Sequence, residues 1–162
     1  MKKIDWNFIV LTMSVRIAII VFILISVINS YFDLKTMQVS LILNYVGITV
    51  CTVLLLINSP QLFIKNLLGS VILFLVFIFV WKITNKGLGV GDIHYSIFCG
   101  LITGFPICIL SGLLASIIGL LVFLFIKLVS KKSSLKNLKI PFIPIMFLGS
   151  LFGLIFSNHL FK

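Results

Sequence analysis

Long apolar runs, separated by only a few polar residues each, follow one another through most of the chain. Of the 162 residues, 61% are hydrophobic and only 10% are charged, and the mean hydropathy is +1.33. Because a soluble domain carries about 25% charged residues, this composition predicts an integral membrane protein. A spanning helix needs about 20 residues, so we expect one all-α, polytopic domain over residues 1–162 with about six transmembrane helices.

The positions of the polar breaks predict where each span begins and ends. The expected spans are 8–30, 37–57, 62–81, 93–110, 113–129 and 141–160. The first apolar run lacks a good cleavage site at its end, which favours a retained helix over a signal peptide. The fourth span contains a proline that we expect to kink or shorten it, Pro106.

The lysines predict the orientation of the chain. With six spans, the breaks at 31–36, 82–92 and 130–140 share one face of the membrane. These breaks and their edges hold eight lysines, and the opposite face holds four. Since positive charge in short loops is typical of the cytoplasmic side, we expect the three breaks in the cytoplasm and both termini outside.

Charge and cysteine content exclude other classes of protein. The net charge of +10 comes from lysines between apolar runs, without a basic stripe interleaved with aromatic residues, so a nucleic-acid partner is not expected. Cys51, Cys99 and Cys108 lie inside apolar runs and form no CxxC pair. We therefore expect buried, structural cysteines, with no metal site and no cofactor.

The chemistry-bearing residues are two aspartates that the topology places on one face. The chain has three acids, Asp5, Asp33 and Asp92, and Asp92 ends a run with glycine at every second position, Gly87, Gly89 and Gly91. Two carboxylates brought close together share a proton, so that one can activate water while the other acts as an acid. This is the division of labour of an aspartic protease. Taken singly, Asp92 could be a helix N-cap and Asp33 a solvated loop residue.

Three segments of the chain resemble the type IV prepilin peptidase family. They are Asp33-Leu34-Lys35-Thr36-Met37-Gln38 with Gly47 downstream, Gly87-Leu88-Gly89-Val90-Gly91-Asp92, and Ile140-Pro141-Phe142-Ile143-Pro144 followed by Leu148-Gly149. The chain departs from the family pattern at His94, where a lysine is usual, at Ile143, where a glycine is usual, and at Val39-Ser40, where Pro-Asp is frequent. It also lacks the cytoplasmic region with paired CxxC motifs, and so looks like a peptidase-only form.

The resemblance implies a membrane aspartic endopeptidase without a cofactor. Its substrates would be prepilin-like proteins, from which it removes short basic leaders on the cytoplasmic side of the cell membrane. Asp33 and Asp92 would be the catalytic pair. Gly87, Gly89 and Gly91 would let an extended substrate pass close to Asp92, and Pro141, Phe142 and Pro144 would line the opposite wall.

Other interpretations of the same residues stay open at this point. The protein could be a non-enzymatic proton-coupled carrier or an assembly subunit of a pilus or secretion machine, although a carrier more naturally has acids near the midplane and repeated halves. A presenilin-like protein shares the GxGD aspartate but is usually longer. His94 could tune the aspartates or simply lie at the interface, and Arg16 could extend outward or pair within the bundle. The pairs Gly100/Gly104 and Gly149/Gly153 predict close helix packing.

Overall fold

The computed structural model describes residues 6–58, 60–85, 87–129 and 140–160. Within these ranges the chain forms six α-helices and no strand. The helices are α1 (Trp6–Thr36), α2 (Leu41–Asn58), α3 (Pro60–Ile83), α4 (Val90–Thr103), α5 (Ile107–Val129) and α6 (Ile143–Leu160). The predicted all-α architecture with six helices is confirmed.

Length and composition identify the helices that can cross a bilayer. Three are long and apolar enough by themselves, over Met13–Thr36, Pro60–Ile83 and Ile107–Leu128, and two apolar helices are shorter, Leu41–Ile57 and Ile143–Phe156. Many of their large apolar side chains are exposed on the outside of the bundle. Such an apolar exterior is suited to lipid, and the chain is a membrane protein.

Helix α4 is the central element of the bundle. It packs against each of the five other helices, and nine of its 14 residues are buried. At 1.5 Å per residue it is only about 21 Å long, shorter than the hydrocarbon core of a bilayer. A helix surrounded by other helices need not span the lipid, because protein satisfies and covers its ends. Its buried residues extend from Ile93 to Thr103, whereas its N-terminal end, at Val90, is exposed.

The predicted end of the fourth span is wrong. We expected this span to continue to residue 110, but α4 ends at Thr103 and α5 already begins at Ile107. Gly104 terminates α4 with a φ of +65°, a conformation that glycine adopts without strain. Pro106, which has no backbone N–H, follows two residues later and prevents continuation of the helix.

Close packing at the predicted glycine pairs is confirmed. A Cβ added to Gly100 would collide with the backbone of Gly69 in α3, and one added to Gly149 would lie 2.7 Å from the Ser111 carbonyl oxygen of α5. The three cysteines are free and buried, as expected. The glycine contacts pack α4 closely against α3 and α6 closely against α5, and so determine how these helices are aligned.

Two boundaries near the predicted site also differ from expectation. Residues 31–36 are not a break, since α1 continues through them to Thr36 and ends where Met37 takes a φ of +54°. The helix continues because the side chains of Lys35 and Thr36 are exposed at the membrane interface, while the backbone keeps its helical hydrogen bonds. Pro141 does not begin α6, which starts at Ile143. The lysines of the predicted loop at 131–139 lie outside the described residues.

Candidate active site

Three helix ends meet around one cavity of about 720 Å³. They are the C-terminal turn of α1, which carries Asp33, and the N-terminal ends of α2 and α4. The segment that leads into α6 lines the cavity as well. Because α1 and α4 pack against each other and α1 ends where α4 begins, Asp33 and Asp92 reach the same space. The residues that line it are Asp33, Met37, Gln38, Val39, Leu41, Gly87, Leu88, Gly89, Val90, Gly91, Asp92, Ile140 and Phe142.

The Asp33 carboxylate is held by the beginning of α6. Its side chain is only 5% exposed, and Oδ2 accepts a hydrogen bond of 3.0 Å from the Ile143 backbone N–H. The backbone N–H of Phe142 also donates to this carboxylate. Because proline has no N–H, Phe142 and Ile143 carry the only backbone donors between Pro141 and Pro144. Hydrogen bonds and the positive end of a helix dipole both stabilise the ionised form of a carboxylate.

Asp92 lies in the first turn of α4, and the hypothesis that it is the N-cap is wrong. The N-cap is Gly89, and Asp92 is the third residue of the helix. The Gly89 N–H donates to the Asp92 carboxylate, a reciprocal arrangement like that of a capping box. A Cβ added to Gly89 would lie 3.0 Å from Asp92 Oδ2. Glycine at this position therefore leaves room for the carboxylate to turn back toward the cavity.

The environment of Asp92 favours its protonated form. Asp92 lies at the N-terminal end of α4, which is not among the apolar helices that are long enough to span the membrane. Burial, and after it the nearby charge of Asp33, raise the pKa of Asp92 to about 7, although the hydrogen bond from Gly89 opposes the rise. An interaction between the two carboxylates is thus part of the site, and near neutral pH the pair can hold one proton.

The turn between α1 and α2 closes over the start of α4 at Gly91. A Cβ added to Gly91 would lie 2.7 Å from Val39 Cγ2, closer than real Cβ contacts allow. The turn ends at Ser40, whose Oγ accepts a hydrogen bond of 3.5 Å from the Leu43 N–H at the start of α2. Because Gly91 has no side chain, Val39 and the segment after Asp33 can lie directly against the helix that carries Asp92.

Most of the residues predicted for the site meet at the cavity. Asp33, Asp92, the three glycines and Phe142 line it, whereas Pro141 and Pro144 do not. Ile140 lines it in their place, and the two prolines flank the amides that bind Asp33. Sequence reasoning missed the cap between Asp33 and α6. The only signal for it was the pair of prolines, which leaves just two N–H groups between them.

His94 and Arg16 lie away from the carboxylates. His94 Nδ1 and the Tyr45 hydroxyl are 2.8 Å apart, and neither residue lines the cavity. His94 therefore contacts α2 at the side of the bundle, in agreement with an interfacial position. The Arg16 side chain is exposed on α1, which favours an outward orientation. Among the residues described, no three His, Cys, Asp or Glu side chains are grouped as metal ligands would be.

Comparison with known proteins places these residues in a family. Residues 17–124, two thirds of the chain, match the type IV leader peptidase family. The matched range contains Asp33, the glycine run and Asp92, and it ends before the segment from Ile140 to Pro144. No curated protein and no solved structure matches the chain significantly. The family consists of aspartic peptidases, and the chain, with two aspartates at one cavity among membrane helices, belongs to the type IV leader peptidase family.

Proposed function

We propose that this membrane peptidase removes the leader peptide from prepilin-like precursors, with Asp33 and Asp92 as its catalytic pair. The observation that carries the proposal is the arrangement of these two aspartates at one cavity. They are the only acidic residues from position 6 onward, and both fall within the range that matches the family.

The shape of the cavity suits an extended peptide. The glycine run lines it together with two apolar residues, Ile140 and Phe142. Glycine exposes its backbone N–H and C=O because it has no side chain, so an extended substrate can approach Asp92 closely. The side chains of Ile140 and Phe142 would contact substrate side chains.

We infer different roles for the two carboxylates from their surroundings. Because Asp33 accepts two N–H groups at the start of α6, we take it as the ionised partner. Asp92, whose pKa is raised to about 7, is then the residue that holds the shared proton. Asp33 accepts a proton from water as the water oxygen bonds to the scissile carbonyl carbon. Asp92 transfers its proton to the carbonyl oxygen, which gives a neutral tetrahedral diol.

Collapse of the diol completes the reaction. Asp33 returns the proton to the leaving nitrogen, the C–N bond breaks, and Asp92 takes back a hydroxyl proton as the carboxyl group forms. The pair is then restored to its starting state with one proton. Atoms and charges balance without any further group.

The lysine distribution supports a cytoplasmic position for the site. Lys35 and Lys82 lie at the helix ends on the side of the cavity, whereas Lys65 is near the start of α3 on the other side. Under the positive-inside rule, this agrees with cleavage at the cytoplasmic boundary of the cell membrane, where the basic leader of a precursor would be found.

The test is co-expression with a prepilin-like precursor from the same source, with cleavage measured as a mobility shift. Asp33→Asn and Asp92→Asn keep the shape of each side chain but remove its acid–base function. Each should lower the cleavage rate by about 10² to 10⁴-fold or more. Asp5→Asn, the remaining acid of the chain, is the control and should cleave normally at equal membrane levels. Cleavage at the wild-type rate by either dyad variant would refute the assignment.

A further inference from the structure

Buried polar groups without partners lie in the bundle beneath the two aspartates. The Asn29 side chain is fully buried, and neither its Oδ1 nor its Nδ2 has a hydrogen-bond partner among the described residues. The same is true of Ser30 Oγ next to it and of Asn44 Oδ1 in α2. Asn44 Nδ2, by contrast, donates to the His94 carbonyl of α4 at 3.0 Å, so the amide of Asn44 is held in place with its oxygen free.

Asn29 lies one helical turn from Asp33 on the same face of α1, since residues four apart are stacked. On the next turn, Ser26 Oγ accepts a hydrogen bond of 2.6 Å from the Tyr95 hydroxyl, and Tyr95 itself lies one turn beyond Asp92 in α4. Along the axis of α1, the Asn29 amide therefore lies between the two aspartates on the cavity side and the Ser26–Tyr95 hydrogen bond deeper in the bundle.

Asn44 lies at the same level as Asn29. Gly47 of α2 contacts Ile25 of α1 and Phe98 of α4, which fixes how the antiparallel helices α1 and α2 are aligned. One turn nearer the site, α2 presents Asn44 where α1 presents Asn29. Two asparagines and a serine, each with unpaired polar atoms, thus lie at a similar depth in the bundle.

Unpaired buried amides are rare because each loses its hydrogen bonds to water on folding. A buried water molecule, which makes about three hydrogen bonds, is the usual partner for such a group. We propose that Asn29, Ser30 and Asn44 bind internal water one helical turn beneath Asp33 and Asp92, and that this site supplies water to the pair when a peptide fills the cavity.

The second part of this inference rests on the proposed peptidase mechanism. A substrate that lies across the mouth of the cavity separates the carboxylates from bulk solvent, although hydrolysis consumes one water molecule in every turnover. Water held on the inner side of the aspartates is not displaced by the substrate. The polar residues of α1 and α2 would then be water-binding residues that act through the bound water.

The direct test is an experimental structure of the wild-type protein in a lipidic phase, at a resolution that shows ordered water. We expect water density within about 3 Å of the Asn29 amide. An Asn29 amide that is bonded only to protein groups, or a dry interface, would overturn the proposal. This measurement does not depend on cleavage, so it remains decisive even if no prepilin-like substrate is cut.

The functional test compares Asn29→Leu, which has the same branching and number of heavy atoms but no polar atom and is somewhat larger, with Asn29→Ser, which keeps a hydroxyl and leaves room for water. Asn29→Leu should lower kcat by about 10 to 10²-fold, the range for an imperfectly arranged reacting group, with little change in KM. Asn29→Ser should restore much of kcat.

The matched control is Thr103→Val, another isosteric loss of a buried polar group, which lies at the opposite end of α4. It should leave kcat unchanged. Wild-type kcat in Asn29→Leu, or equal loss in the Leu and Ser variants, would refute the supply of water by this site. Wild-type protein without activity would instead refute the proposed function.

Discussion

The Asp33 carboxylate accepts a hydrogen bond from the Ile143 backbone N–H, and this bond of 3.0 Å joins residues 110 positions apart in the chain. A side chain in the last turn of α1 thereby caps the beginning of α6. The contact makes the geometry of the site depend on α6, a helix that carries neither of the two acids. It also means that Asp33 has a structural role that can be separated from its chemistry.

The capping role predicts different stabilities for two substitutions of Asp33. Asp33→Asn retains an oxygen that can accept the N–H groups of Phe142 and Ile143, whereas Asp33→Ala leaves both without a partner. Loss of a helix cap costs about 1 kcal/mol, so Asp33→Ala should have the lower free energy of unfolding in detergent, although we expect neither variant to cleave. Thr36→Ala, an exposed change in the same turn, is the control. Equal stability of the Ala and Asn variants would contradict the cap.

The contact between Gly91 and Val39 predicts a suppressor pair. Gly91→Ala places a methyl group where Val39 already lies, and overpacking of this kind costs typically about 1 to 3 kcal/mol. We expect reduced leader cleavage because the turn after Asp33 moves away from Asp92. Val39→Ala should restore activity to Gly91→Ala.

A double-mutant cycle measures this coupling. Gly112→Ala is the control, since its added methyl meets only the flexible end of Leu73 at 3.2 Å. Additive effects of the two substitutions at Gly91 and Val39 would show that the turn does not position the aspartates.

The pH dependence of cleavage follows from the protonation of Asp92. Its pKa is raised to about 7 by burial and by Asp33, and the mechanism requires the protonated form. Activity should therefore be present below this value and be lost as pH rises through it, and it should also fall in acid as Asp33 takes up a proton. The measurement is kcat/KM for leader cleavage between about pH 5 and about pH 9. A rate that increases steadily to the alkaline end would exclude Asp92 as the acid.

The orientation can be tested with a matched pair of positions at the two ends of the α3 region. Gln61 and Asn85 are both exposed and lie on opposite sides of the bundle. In a background without the three buried cysteines, Asn85→Cys should react with a membrane-impermeant thiol reagent only after the cell is opened. Gln61→Cys should react from outside. The reverse pattern for both positions would show that the site faces away from the cytoplasm.

Sequence alone could predict the helices because each depends on local hydropathy. The apolar runs identified six helices, and the alternation of spans placed Asp33 and Asp92 on the same face. Helix ends were less predictable, as shown by α1, which continues to Thr36, and by α4, which ends at Thr103. Polar residues at an interface can remain helical, and a short helix can be buried within a bundle, so hydropathy does not define these ends.

The motifs around the two aspartates and the family they indicate were determined by the sequence itself, since residue types and spacing carry that information. Only the tertiary structure decided that α4 lies at the centre, that the start of α6 holds Asp33, and that Asn29 and Asn44 are buried with unpaired polar atoms. These relationships join residues far apart in the chain through backbone amides and helix alignment. No local pattern encodes them, because they arise from how glycine contacts and helix packing set each helix against its neighbours.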